Sequence, residues 1–175
     1  KNKDREMETY KKLLVQDPQN RDANRRLGAI LMKKKQYSKA IENLEVVQVT
    51  NPQDAEIMLM LSEGYLKTGR RDKGIELLAK AQSIKKDNPE LLFQLYTVYK
   101  EAGKASEAES TIKKLIALKK DNKYRVLYAN DLMDLKRYDE AKTVADEIVK
   151  SDPMNIEGLM LAGKIQELQN KFDDA

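Results

Sequence analysis

The chain has 175 residues, of which 41% are apolar and 35% charged, with a formal net charge of +4 and no Cys, His or Trp. Without Cys or His there are no disulfides and no thiolate or imidazole ligands for a metal or a haem. The apolar fraction is too high for a disordered chain, no run of 18 apolar residues is present to cross a membrane, and 7 Gly with 4 Pro leave little for long loops.

Residues 1–20 open on Lys1, with neither an initiator Met nor a signal-peptide pattern, which predicts a segment of a longer chain or a processed form. They read as one helix, the second of a preceding pair, because Tyr10 and Leu13 stand where Leu44 and Val47 stand 34 residues later. Glu6 breaks that match where a tiny residue is expected, so a capping helix is the alternative.

From Arg21 the sequence repeats with a period of 34 residues. Repeats 21–54, 55–88 and 89–122 follow without a gap, one residue is dropped, a fourth repeat spans 122–155, and a fifth starts at Ile156 and is cut off at Ala175. The twentieth residue of each repeat is tiny: Ala40, Gly74, Ala108, Ala141 and Ala175. The eighth is small in all but one: Gly28, Ser62, Tyr96, Ala129 and Gly163. The seventh reads Leu27, Leu61, Leu95, Tyr128 and Ala162. The twenty-fourth reads Leu44, Leu78, Ile112 and Ala145, with Val47, Ala81, Leu115 and Ile148 three residues on. Apolar residues three and four apart mark one face of a helix, and tiny ones let two helices approach closely.

The breaks agree with that frame. Asp17-Pro18, Asn51-Pro52, Asn88-Pro89 and Asp152-Pro153 fall between repeats, where Pro cannot continue a helix. Thr68-Gly69 and Ala102-Gly103 split two repeats internally, and Lys35-Gln36-Tyr37 and Lys136-Arg137-Tyr138 occupy the equivalent turns. Each repeat therefore predicts two antiparallel helices of about a dozen residues. Charge falls along the chain, from +4 in residues 1–54 to −2 in 156–175. That gradient suits solvated helix surface; the alternative is a field that orients an acidic partner at the N-terminal half.

These residues resemble the tetratricopeptide repeat family. The matches are Arg26-Leu27-Gly28 with Ala40 and Pro52; Tyr65, Gly69 and Ala81; Tyr99, Gly103 and Ala108; Tyr138, Ala141 and Pro153; and Gly163, Phe172 and Ala175. The family's large aromatic at the fourth residue is missing, since Asn24, Met58, Leu92, Arg125 and Leu159 stand there, and Arg125 puts the register of the fourth repeat most in doubt. The resemblance implies an all-α fold, a right-handed superhelical solenoid of antiparallel helix pairs, in a single array over residues 1–175. It also implies a non-catalytic scaffold that holds a protein or peptide partner, with no cofactor and no metal.

In the family, the second, fifth, ninth and twelfth residues of each first helix tend to line the groove. Carried over, the fifth gives Arg25, Leu59, Phe93, Val126 and Met160; the ninth gives Ala29, Glu63, Thr97, Asn130 and Lys164; the twelfth gives Met32, Leu66, Lys100, Met133 and Glu167. The expected partner-binding residues are Arg25, Leu59, Glu63, Phe93, Thr97, Val126, Asn130 and Met160. Leu59, Phe93, Val126 and Met160 form an apolar run, which predicts an apolar or amphipathic ligand; ordinary packing against neighbouring helices is the other reading. Some members bind acidic chaperone tails through a clamp of Lys and Asn one helical turn apart. Here Arg25 faces Ala29, Leu59 faces Glu63, Phe93 faces Thr97 and Val126 faces Asn130, so that clamp is not expected.

Other chemistry finds little support. Gly158 to Lys164 is followed by Ile165, and Gly64 to Gly69 by Arg70-Arg71, so both miss the phosphate-loop pattern and neither follows a strand. Ser83 to Lys86 and Ser110 to Lys113 fit Ser-x-x-Lys, but on solvated helix faces without further motifs. Lys33-Lys34-Lys35 and Arg70-Arg71 raise RNA binding by a helical repeat as an alternative; against it, the basic residues form no constant column through the repeats. Self-association through repeat stacking is a further alternative, because the truncated fifth repeat leaves an unmatched apolar surface.

Overall fold

The computed structural model describes the backbone of residues 2–173 and the side chains of residues 4–170. Ala175, the expected tiny residue of the fifth repeat, lies outside the described residues, as does the side chain of Phe172. The described residues form helices and turns: α1 (Asn2–Gln16), α2 (Arg21–Lys33), α3 (Tyr37–Thr50), α4 (Ala55–Lys67), α5 (Arg71–Ile84), α6 (Pro89–Glu101), α7 (Ala105–Lys119), α8 (Asn122–Asp134), α9 (Tyr138–Ser151) and α10 (Ile156–Asp173). The all-α class of stacked helix pairs, expected from the 34-residue period, is the class the chain adopts. The chain falls into two compact units, Lys1–Leu91 and Leu92–Ala175.

The first helix of each pair starts on a short polar side chain that accepts from the free N–H groups of its first turn. Asn20 accepts from the Ala23 amide at 3.0 Å, Asp54 from Glu56 at 3.0 Å and Ile57 at 3.2 Å, Asn88 from Leu91 at 2.9 Å, Asp121 from Lys123 at 3.0 Å and Asn155 from Gly158 at 2.9 Å. Pro89 is itself the first residue of α6, a place where its missing N–H costs nothing. The second helices start on Gln36, Arg70, Lys104 and Arg137, none of which makes a side-chain cap. A left-handed residue precedes each of them: Lys35, Gly69, Gly103 and Lys136, with φ of 57°, 79°, 70° and 58°. The residue dropped from the frame is accounted for in the link to α8, where left-handed Lys120 leads straight to the cap Asp121.

In the N-terminal unit the pairs close on small residues. A Cβ on Gly28 would stand 2.7 Å from Leu44, one on Gly64 2.9 Å from Ile41, and one on Gly74 2.7 Å from Leu66 and 3.1 Å from the Ser62 carbonyl. Ser62 Oγ also donates to the Gly74 carbonyl at 2.7 Å, tying α4 to α5. Leu27, Leu31, Ile41, Leu44, Ile57 and Leu61 fill the core between them. Asn24, where the family has a large aromatic, is buried; its amide donates to the Pro18 and Asn20 carbonyls, both at 2.9 Å, and so holds the link before α2.

In the C-terminal unit the core is built from Tyr96, Ile112, Leu115, Leu132, Ile148 and Ile165. Arg125, the residue that put the register in doubt, donates to Asn122 Oδ1 at 3.1 Å, and α8 keeps the same 13-residue length as α2, α4 and α6. The last helix, α10, runs 18 residues, past the point where the other first helices turn. Its Gly163 faces open space, in contrast to Gly28.

Candidate partner-binding groove

In the N-terminal unit a groove of about 650 Å³ is lined by Tyr10, Asp22, Arg25, Arg26, Ala29, Glu56 and Met60. These come from the second, fifth, sixth and ninth positions of the first helices α2 and α4, together with α1. Arg25 is already engaged. Its guanidinium donates to Asp54 at 3.0 Å and to Glu56 at 2.5 Å, and Asp54 is also the cap of α4. The arginine therefore joins α2 to the start of α4. Leu59 lies elsewhere, half-buried against the cluster of Ala55, Met58 and Ala81. Glu63 is exposed and outside that groove.

In the C-terminal unit a cavity of about 510 Å³ is lined by Phe93, Lys123, Tyr124, Val126, Leu127 and Glu157. Phe93 is 41% exposed, and its ring lies 6.1 Å from that of Tyr96 and 6.0 Å from that of Tyr124, both tilted, a favourable range for aromatic pairs. Val126 and Leu127 are half-buried against the core below. Thr97 and Asn130 spend a hydrogen bond on their own helix, to the Phe93 and Val126 carbonyls, each at 2.9 Å. Met160 is 71% exposed and outside this cavity. Of the expected residues, then, Phe93 and Val126 meet at one cavity and Arg25 lines another.

Sequence reasoning passed over Arg26, Met60 and Leu127, all at the sixth position, one residue beyond the fifth on the same helix. It also passed over Tyr124. A second feature escaped it: tyrosines that reach carboxylates across helices. Tyr65 donates to Glu45, Tyr96 to Asp131 at 2.7 Å, and Tyr128 to Glu109 at 2.8 Å. Burial first, and then the facing carboxylate, raises Tyr65 to about 12 and moves Tyr96 in the same direction. Glu109 also receives Arg137 at 2.6 Å and Lys113 at 2.6 Å; these cations, Arg137 foremost, hold its carboxyl down at about 2. The available signal was Tyr96 and Tyr128 standing in columns of small or leucine residues.

Two of the four glycines in the phosphate-loop look-alikes, Gly64 and Gly158, have packing reasons. Gly64 lies against Ile41, and a Cβ on Gly158 would stand 2.6 Å from Ile148. Of the basic clusters, Lys34 pairs with Asp4 at 2.5 Å and Arg70 lies over the Tyr65 ring at 4.7 Å. Among the described residues no group of three or more acidic side chains is placed to hold a metal ion, and no helix is long and apolar enough to cross a membrane.

Two sequence profiles, both described as tetratricopeptide repeat, match residues 65–130 and 127–175, together more than half of the chain. No curated protein matches it. Among solved structures, one of MamA superposes with a TM-score of 0.63 at 19% identity, covering 97% of this chain and 90% of that one. YrrB, described as a TPR protein with an unusual peptide-binding site, superposes with a TM-score of 0.65 at 15% identity over 94% of this chain and 85% of that one. MamA 41-end from Desulfovibrio magneticus RS-1 reaches 27% identity and a TM-score of 0.61, over 68% of this chain and 67% of that one. The first two likenesses speak to the fold. With the period, the caps and the paired helices, the profile matches establish that this chain belongs to the tetratricopeptide repeat family, whose members are protein-interaction scaffolds.

Proposed function

We propose that the protein is a non-catalytic scaffold that takes an apolar or amphipathic segment of a partner protein onto the groove face of its first helices, with Phe93 as the anchor. The observation that carries this is the exposed Phe93 ring at the 510 Å³ cavity it shares with Val126, Tyr124 and Leu127. An accessible aromatic over a half-filled apolar recess is the kind of feature that dominates binding energy at protein interfaces. Leu59, Met160, Glu63, Thr97 and Asn130 extend the candidate surface on either unit. Arg25 contributes through its aliphatic stem, because its charge is held by Asp54 and Glu56. An acidic-tail ligand is disfavoured for the same reason.

Peptides selected from a random display library test this. Binders of the wild type lose roughly ten-fold or more in affinity on Phe93→Ala, while helicity by circular dichroism stays at the wild-type level. If Phe93→Ala unfolds the protein, Phe93 belongs to the core and the site assignment fails.

A second reading, homotypic assembly, is favoured by Ile156, Leu159 and Met160, which are 73%, 49% and 71% exposed on α10 beside the open Gly163. Sedimentation at several concentrations separates the two, since a strict monomer that still binds selected peptides leaves only the scaffold reading.

A further inference from the structure

The C-terminal unit holds another cavity, of about 300 Å³, at the end of α6, the start of α7 and the last turns of α8. Its apolar wall is Gly103, Ala105, Ala108, Leu132 and Leu135. Its origin lies in the repeat itself. Ala105 is the seventeenth residue of its repeat, and the same position holds Tyr37 and Tyr138 in two others. Both tyrosines are half-buried with their rings packed against the core of their own unit. Where those repeats carry a ring, this one carries a methyl group, and the space is left open.

The rim is charged, and its charges are unequal in their commitments. Asp131 is held by the Lys100 ammonium and by the Tyr96 hydroxyl. Glu109 is held by Arg137, Lys113 and Tyr128. Asp134, the last residue of α8, is exposed and makes no ion pair among the described residues. One negative charge without an ion pair therefore stands over an apolar recess with room for an aromatic ring.

We propose that this cavity binds a small aromatic primary amine, with a single six-membered ring in the place of the absent tyrosine ring and its ammonium on Asp134. Pockets of this volume with an apolar lining and few polar groups are typical of small-ligand sites. An ammonium with an apolar body satisfies both parts, whereas a carboxylate ligand would meet Asp134, which no cation holds among the described residues. The site is distinct from the recess at Phe93: Tyr124, Val126 and Leu127 line that one and none of them lines this one.

The test is a titration of the whole ¹⁵N-labelled chain with 2-phenylethylammonium, beside 2-phenylethanol and phenylacetate as shape-matched neutral and anionic probes. The ammonium should give saturable shifts at the Ala105, Ala108, Leu132 and Leu135 amides. The alcohol should bind the same residues roughly ten-fold more weakly, lacking the charge-assisted contact, and phenylacetate should not bind. Asp134→Asn, a change at an exposed helix end, should bring the ammonium down to the alcohol's level. Ala105→Tyr restores the ring covalently and should abolish the shifts. Equal affinity for ammonium and alcohol, no saturable shift with either, no effect of Asp134→Asn, or shifts confined to the Phe93 recess would each overturn the proposal. If Ala105→Tyr fails to fold, Asp134→Asn alone decides.

Discussion

The two compact units use one repeat but close it in different ways. In the N-terminal unit the eighth and twentieth positions are Gly28 with Ala40 and Ser62 with Gly74, and the helices meet where any added carbon would collide with a neighbour. In the C-terminal unit, Tyr96 takes an eighth position and Tyr128 a seventh, and both reach across to a carboxylate on another helix. Close approach seats Gly28 against Leu44, Gly64 against Ile41 and Gly74 against Leu66. The C-terminal unit carries two mostly apolar recesses, of about 510 and 300 Å³, whereas the N-terminal groove of about 650 Å³ is lined by charged as well as apolar side chains.

The sharpest way to break that comparison is to enlarge the same position in both units. Gly74→Val places a side chain 2.7 Å from Leu66 and 3.1 Å from the Ser62 carbonyl, and should cost about 3 kcal/mol in urea unfolding. Ala108→Val adds its methyl groups beside the 300 Å³ cavity and should cost less than about 1 kcal/mol. Equal losses would mean that the two units are packed alike. Next in size, Tyr96→Phe and Tyr128→Phe should each cost about 1 kcal/mol, the net worth of a hydrogen bond, while leaving the apolar contacts in place.

Acid provides a third lever. Glu109 is depressed to about 2 in the folded chain, against 4.5 for a free glutamate, mainly by the Arg137 guanidinium. A carboxylate depressed in this way adds stability that is fully present above pH 4.5 and disappears as pH falls towards 2. The melting temperature should fall with acid across that window for the wild type, and fall less for Glu109→Gln. The left-handed turns give effects of about 1 kcal/mol and below. Gly69→Ala meets no neighbouring atom, so its cost of about 1 kcal/mol is backbone alone. Lys136→Gly should gain roughly 0.5 kcal/mol, because relief of the left-handed strain exceeds the added chain entropy. Chemical denaturation resolves both.

Much of the fold was legible because it rests on short-range rules. The 34-residue period, the Asn and Asp that begin the first helices, and the turns at Lys35, Gly69, Gly103 and Lys136 are all local signals. The candidate site was legible only in part. Leu59, Phe93, Val126 and Met160 share one repeat position and looked equivalent, yet Leu59 and Val126 are half-buried while Phe93 and Met160 are exposed. A repeat position records where a side chain starts on its helix; how much of it stays in water depends on the neighbours it meets. Arg25 carries the same lesson, since its partners Asp54, the last residue of its own repeat, and Glu56, in the next, are reached only by stacking.

What the sequence determined by itself is the alternation of helix and turn and the membership of a repeat family, because helical periodicity, capping and proline placement act over a few residues. The tertiary structure decided the rest: which glycines are indispensable, which tyrosines are buried against carboxylates, and where a ring is missing. Those outcomes depend on side chains of different helices being pressed together. Volumes and charges cancel or fail to cancel only at that contact, and at Ala105 and Asp134 they fail to cancel.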